Sequence, residues 1–410
     1  MTDIVITGIG VVSSVGVGRE AFWTNCRKAK TGIKKITTFD TNSLRSNIAG
    51  WVENFDPSQF MPTAVYRRMS RVSRMAVASS VEALNDSGLS LDQMDRDRMA
   101  VIMGTSYGSS SSVEDFYVSL LRDGPRGAQP FFFPATVPNA PASHIAMFHR
   151  ITGPNTTFSQ NEISSENAIV YARNLLLQDQ ADVALVGGAD ELSSMQYSCY
   201  DALGALNKTK VKNDEPVQPK PGGGLILGEG AGVLVMERFD FALERGAEIY
   251  GILKSGTITG GITSMGHYEA EGEQMARAMC LAMEQAGIEP NEIDQIHVSA
   301  NFSGELDRME YDQLNRIFIK SNNNLMVTPL KYLMGDFGGA GAVRAAAILL
   351  SFYHQLPLPT VSAQVLKGQP EHSLQWNVNP SGKTQVALMT TTTFGGGSTS
   401  LVFSKRGANL

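Results

Sequence analysis

Short apolar, β-branched runs alternate along the chain with longer stretches in which apolar side chains return every three or four positions. That alternation predicts an α/β protein, in which buried strands are covered by amphipathic helices. Residues 4–7, 100–103, 183–186 and 234–236 read as buried strands, and 69–87 and 164–178 as helices. After Glu237-Arg238 the cycle restarts. Residues 249–253, 296–298 and 385–390 read as strands, and 273–286 and 341–352 as helices.

The two stretches end alike. Leu227-Gly228-Glu229-Gly230-Ala231-Gly232 runs into an apolar strand, and so does Phe394-Gly395-Gly396-Gly397. A glycine turn feeding a buried strand twice predicts two related halves, residues 1–245 and 246–410, with coincidence as the alternative because such turns are common. No charged or low-complexity linker separates them, so one shared core is expected.

Composition narrows the function classes. With 42% hydrophobic and 18% charged residues the 410-residue chain is globular and large enough for two full cores. A net charge of −6 gives nucleic acid no electrostatic reason to bind. No apolar run approaches the roughly 18 residues of a membrane span. The start, Met1-Thr2-Asp3-Ile4-Val5, has no basic leader region, so a cytoplasmic protein is expected. The three cysteines, Cys26, Cys199 and Cys280, are too scattered for a disulfide framework or a zinc cluster, and packing roles are expected for them.

Common cofactor motifs fail on spacing. Gly8-Ile9-Gly10-Val11-Val12-Ser13 lacks the third glycine of a dinucleotide fingerprint, and Gly222-Gly223-Gly224 lacks the Gly-Lys-Ser/Thr step of a phosphate cradle. His144 and His149, five apart, face different sides of a helix, and none of the six His shows metal-ligand spacing. Each is expected to be a satisfied core or surface residue. No Gly-x-Ser-x-Gly elbow supports a serine hydrolase. No metal or cofactor is expected.

An ordered set of segments resembles the β-ketoacyl synthases of the thiolase superfamily. It comprises Ile6-Thr7-Gly8-Ile9-Gly10, Gly104-Thr105-Ser106-Tyr107-Gly108, Pro130-Phe131-Phe132-Phe133-Pro134, Gly153-Pro154-Asn155, the run from Asp182 to Asp190, Leu227 to Gly232, Lys331 to Gly341, and Phe394 to Gly396. The order and spacing hold over nearly the whole chain. The resemblance implies a five-layered αβαβα fold built from two related halves.

It also locates the catalytic positions. In condensing members a Cys at the N-terminus of a buried helix accepts the acyl chain, its thiolate favoured by the helix dipole. Counting from either flanking motif, that position is Glu162, in Ser159-Gln160-Asn161-Glu162-Ile163-Ser164-Ser165. Two His residues of the family bind the malonyl carboxylate and the developing enolate. Their positions are Ser299, in Val298-Ser299-Ala300-Asn301, and Asp336, after Lys331 in Lys331-Tyr332-Leu333-Met334-Gly335-Asp336. The family's Lys and a downstream acid persist as Lys331 and Glu310. An Asp in place of a donor would repel the negative charge that decarboxylation develops.

Loss of the nucleophile together with both donors resembles the chain-length factor, the non-condensing subunit that pairs with an active ketosynthase in type II polyketide systems. That family usually carries Gln where this chain has Glu162, and the difference is reminiscent of chain-length factors of aryl polyene-type pathways. A second departure is Gln218-Pro219-Lys220-Pro221-Gly222-Gly223, which lacks the family's Arg-Asp pair, so no carrier-protein role is carried over to that loop. The partners implied are a ketosynthase subunit that keeps Cys-His-His and, through it, an acyl carrier protein. A malonyl-carrier-protein decarboxylase or acyltransferase using Glu162 is the enzymatic alternative, and a homodimeric acyl-chain binder the third.

By the same resemblance, the strand near Thr156–Ser159 joins the partner's sheet across a large interface. A helix after Gly108 lines a tunnel for the growing chain, with Ser109 and Ser112 leaving room, Phe116 closing it one turn on, and Phe394 at its wall. A solvated Ser-rich turn with Phe116 in core packing is the alternative. Glu162 and Lys331 are expected to share a buried ionic cluster, with Glu310 and Asp336 as competing partners.

Overall fold

The structure is a computed structural model that describes residues 3–128, 130, 133–212, 217–264, 266–318, 325–361, 376–377 and 379–408. Met1, Thr2, His372 and the motif residues Phe131 and Phe132 lie outside the described residues.

Five strands of the first half are β1 (Ile4–Ser13), β2 (Met99–Gly104), β3 (Asn155–Phe158), β4 (Val183–Asp190) and β5 (Gly230–Arg238). Five of the second are β6 (Gly251–Gly260), β7 (Gln295–His297), β8 (Met326–Thr328), β9 (Val386–Thr392) and β10 (Gly397–Ser404). Their spatial orders are β3-β2-β4-β5-β1 and β8-β7-β9-β10-β6, so the same order is built twice. In both halves the first three strands pair in parallel, the fourth runs antiparallel to them, and the fifth pairs antiparallel with the fourth. Short antiparallel pairing of Ile4–Ile6 with Gly251–Leu253 joins the halves into one ten-stranded sheet.

The helices that matter to the site are α1 (Arg71–Ser87), α2 (Ser110–Asp123), α3 (Ala140–His149), α4 (Ser164–Leu177), α5 (Ser194–Ala202), α6 (Glu273–Ala286), α7 (Gly304–Phe318), α8 (Lys331–Met334) and α9 (Ala340–His354). α1 and α3 cover the outer face of the first sheet half, and α6, backed by α7, covers the second. Between the sheet halves lie α4 and α9, which touch strands of both. This gives five layers, helix–sheet–helix–sheet–helix, with a central apolar core, shared by both halves, that runs from Ile4 and Leu176 through Val343 to Leu401 and further cores under the outer helices.

The central helices are apolar on nearly all sides because both faces are covered. Along α9 every residue from Ala340 to Phe352 is buried. Several elements run longer than their apolar patterns predict, β1 above all. A side chain on Gly10 would sit 1.9 Å from the Ser79 carbonyl of α1, so glycine is what lets helix and strand approach. Packing also revises the cysteines: Cys26 is buried, whereas Cys199 and Cys280 are exposed. His144 and His149 have Ser73 and Ser80 hydroxyls as partners, but His297 is fully buried with neither ring nitrogen bonded, so it is not a satisfied core histidine. Burial, then the charge of Arg344, pushes His297 down to about 3. Among the described residues no helix is long and apolar enough to cross a membrane.

Candidate functional site

Glu162 stands in a single helical turn, Asn161–Ile163, directly before α4. The turn is tight: Asn161 has a left-handed backbone (φ 51°), and the Ser164 hydroxyl donates to the Asn161 carbonyl while accepting from the Gln160 N–H. Behind it, Gly104 at the end of β2 leaves no room for a Cβ, which would meet Ser164 and Ser165 backbone at 2.3 Å. In front, Gly338 fits against the Asn161 carbonyl for the same reason, and its own carbonyl accepts from the Ser165 N–H at 3.1 Å. The loop that carries Asp336 is therefore pressed against the turn that carries Glu162.

The structure brings Glu162, Lys331 and Asp336 together, with pairings different from those expected. Lys331 is bound to Asp336, with Nζ 2.6 Å from Oδ1, and not directly to Glu162 or Glu310. The other Asp336 oxygen accepts from the Asn301 amide at 2.7 Å. Glu162 is only 6% exposed and accepts from the Thr393 hydroxyl. Burial, then the negative charge of Asp336, pushes its carboxyl up to about 7 against the opposing effects of Thr393 and Lys331. Glu310 instead accepts the Ser299 and Ala300 N–H groups at 2.7 and 2.9 Å, closing the turn after β7. Ser299 is fully buried, and its hydroxyl accepts from the Thr392 N–H at 3.2 Å.

The space left between these groups is small. A void of about 10 Å³ is bordered by Ser106, Tyr107, Glu162, Asp190, Asp336 and Phe337. That is room for about one water and no acyl group. Next to it, Asp190 accepts from Thr105 Oγ1 and from the backbone of Ser106, Tyr107 and Gly339, so it ties the loop after β2 and the loop before α9 to the end of β4. A second buried pair, Arg344 with Glu166 at 3.2 Å, spans the two central helices, and its guanidinium also donates to the carbonyls of His297, Val298 and Thr390. Among the described residues no group of His, Cys, Asp and Glu could hold a metal ion.

The residues assigned to a tunnel do not share one cavity. Ser112 and Phe116 of α2 line a cavity of about 310 Å³ together with Arg67, Arg71 and Ala135. Phe394 borders a different, largely apolar chamber of about 760 Å³. Ser109 is buried and hydrogen-bonded to the Ser70 hydroxyl at 2.8 Å; it lines neither space. Asn301, Thr393, Tyr107 and Tyr200 were missed as site residues. Asn301 and Tyr107 lay inside the motifs already singled out, but nothing in the linear pattern says which of their atoms meet Asp336 or the void.

A doubled αβαβα scaffold whose buried-helix turn, β7 turn and α8 loop converge on one buried group of Glu162, Asp336 and Lys331 defines a thiolase-like fold. The Beta-ketoacyl synthase N-terminal domain matches residues 1–242 and the C-terminal domain residues 250–364. The chain belongs to the β-ketoacyl synthase family. It is 28% identical over 414 residues to a 3-oxoacyl-[acyl-carrier-protein] synthase 2 of Vibrio cholerae serotype O1, covering 98% of this chain and 99% of the relative. With a putative polyketide β-ketoacyl synthase 1 of Streptomyces halstedii it shares 31% over 373 residues, or 88% and 87% of the two chains. Its fold superposes on the ishigamide ketosynthase/chain length factor with a TM-score of 0.87 at 24% identity, covering 99% of this chain and all (100%) of the other.

Proposed function

We propose that this chain is a non-condensing, chain-length-factor subunit that pairs with an active β-ketoacyl synthase in type II polyketide biosynthesis, in the manner of an aryl polyene-type pathway. The observation that carries the reading is the carboxylate pair at the reaction centre. Glu162 stands where an acyl-accepting thiolate is needed, and a mixed anhydride formed there would be far more labile than a thioester. Asp336 stands where an oxyanion donor is needed, is paired with Lys331 and offers no donor. A carboxylate at that point opposes the charge that decarboxylation builds. The void of about 10 Å³ gives the reacting groups no place to meet.

The partner surface is supported by the sheet edge. Among the described residues β3 is the last strand of its sheet, with β2 as its one neighbour. Such an edge favours pairing with another chain, and one solved structure of the same fold is described as a ketosynthase/chain length factor. An acyl carrier protein would reach this subunit through the complex.

The enzymatic reading has one feature in its favour: burial and the charge of Asp336 push the Glu162 carboxyl up to about 7, into the range a general base needs. Two assays separate the readings. The full chain co-expressed with a Cys-His-His ketosynthase should co-purify with it and be required for product, while alone it elongates nothing. Release of CO2 from malonyl carrier protein by the chain alone, lost in Glu162→Gln, would overturn the subunit reading. Glu162→Cys should not restore condensation, because Ser299 and Asp336 still supply no His donors.

A further inference from the structure

Two spaces meet at one wall. The apolar chamber of about 760 Å³ is bordered by Val113, Met195, Leu203 and Phe394 and opens on the surface. The void of about 10 Å³ beside Glu162 and Asp336 adjoins it, because Tyr107, Gln196 and Tyr200 line both. These three side chains are the partition.

The two tyrosines close it against each other. Their hydroxyls are 2.7 Å apart and their rings meet edge to face, with centroids 6.4 Å apart. Tyr107 sits on the loop after β2, its N–H held by Asp190 at 3.2 Å. Tyr200 comes from α5, a helix capped by Ser193 and hydrogen-bonded at Met195 to Glu114 of α2. The partition thus joins two separately anchored elements through one contact between hydroxyls. Beside it, Phe394 packs on Tyr268 with centroids 4.5 Å apart, and the Tyr268 hydroxyl accepts from Asn301, the residue that also holds Asp336. The wall is aromatic toward the chamber and polar toward the carboxylates.

We propose that the Tyr107–Tyr200 hydroxyl pair is a latch that seals the apolar chamber from the Glu162–Asp336 carboxylates, so that an apolar ligand in the chamber is kept away from them. A carboxylate base in contact with a bound thioester would promote its hydrolysis with water from the void; the latch separates the two. A single hydrogen bond between neutral groups is a weak closure, so it opens by rotation of side chains rather than by unfolding.

The test is carboxyl labelling of the full chain, in the assembly in which it purifies, with a water-soluble carbodiimide and glycine ethyl ester, read by peptide mass mapping. In the wild type Glu162 should react at least tenfold more slowly than exposed Glu53. Tyr200→Ala should raise the Glu162 rate at least tenfold, while Asp307 and Glu310, buried and bordering neither space, stay unlabelled. Labelling of those two would mean that this variant has lost its fold. Tyr200→Phe, which keeps the ring and removes only the hydroxyl, then decides, with a smaller rise in Glu162 labelling expected. Glu162 labelled as fast as Glu53 in the wild type would overturn the latch, and so would an unchanged Glu162 rate in the folded variants.

Discussion

Lys331 Nζ lies 2.6 Å from Asp336 Oδ1, and neither side chain is more than 3% exposed. A buried pair of this kind contributes little net stability, but removing one partner strands the other charge. Lys331→Met should therefore lower stability by about 3–5 kcal/mol. Adding Asp336→Asn to it should recover most of the loss. Urea unfolding of the wild type, the single and the double variant checks this; equal losses in the two variants would refute the pairing.

Glu162 makes stability depend on pH in a direction opposite to a salt-bridged carboxylate. Its folded value of about 7 lies above the ordinary 4.5, so the native chain keeps a proton that the unfolded chain releases. The stabilisation is full below about pH 4.5 and is lost as pH rises through about 7. Burial raises Glu310 to about 7 and Asp307 to about 8, which adds the same sign. Glu162→Gln should stabilise the chain by roughly 1–3 kcal/mol at pH 8 and change little at pH 4.5. Unfolding midpoints measured across that range should converge at the acid end.

The edge strand β3 gives a sharper handle on assembly than the surface around it. Val101 of β2 and Thr105 just after it donate to the carbonyls of Pro154 and Phe158, so by the alternation of a parallel ladder the N–H of Thr157 points away from β2. Thr157→Pro removes that outward donor while leaving the ladder to β2 intact. It should abolish or weaken at least tenfold the association with a ketosynthase partner, without lowering the unfolding temperature of the isolated chain by more than a few degrees. Size-exclusion chromatography with both chains present checks it.

Ser112 and Phe116 face one cavity of about 310 Å³, so they are the pair in which chain length can be tested. Ser112→Trp should fill that space and shorten the product of the paired complex, and Phe116→Ala should lengthen it. Mass spectrometry of the released chains reads both. Wild-type lengths from both variants in an intact complex would remove α2 from any length-setting role.

The linear pattern was enough for the α/β class and the doubled organisation, because these follow from periodicity along the chain, while it was the family resemblance that singled out Glu162, Lys331 and Asp336, which the fold brings together. It understated β1, since a glycine that serves close packing looks the same in sequence as one that ends a strand. It also could not say which anion holds Lys331. Glu162, Glu310 and Asp336 are 169, 21 and 5 positions from it in sequence, and the turn after α8 brings Asp336 onto it. Likewise Cys199 and Cys280 looked like packing residues and are exposed, because burial belongs to the assembled layers rather than to the residue type. The contact between Tyr107 and Tyr200, which joins the loop after β2 to α5, was equally out of reach. Sequence gives the residue types and their order; which of them meet across the chain, as Glu162 meets the Asp336 loop and Tyr107 meets Tyr200, depends on distances between distant segments that exist only once the five layers are closed.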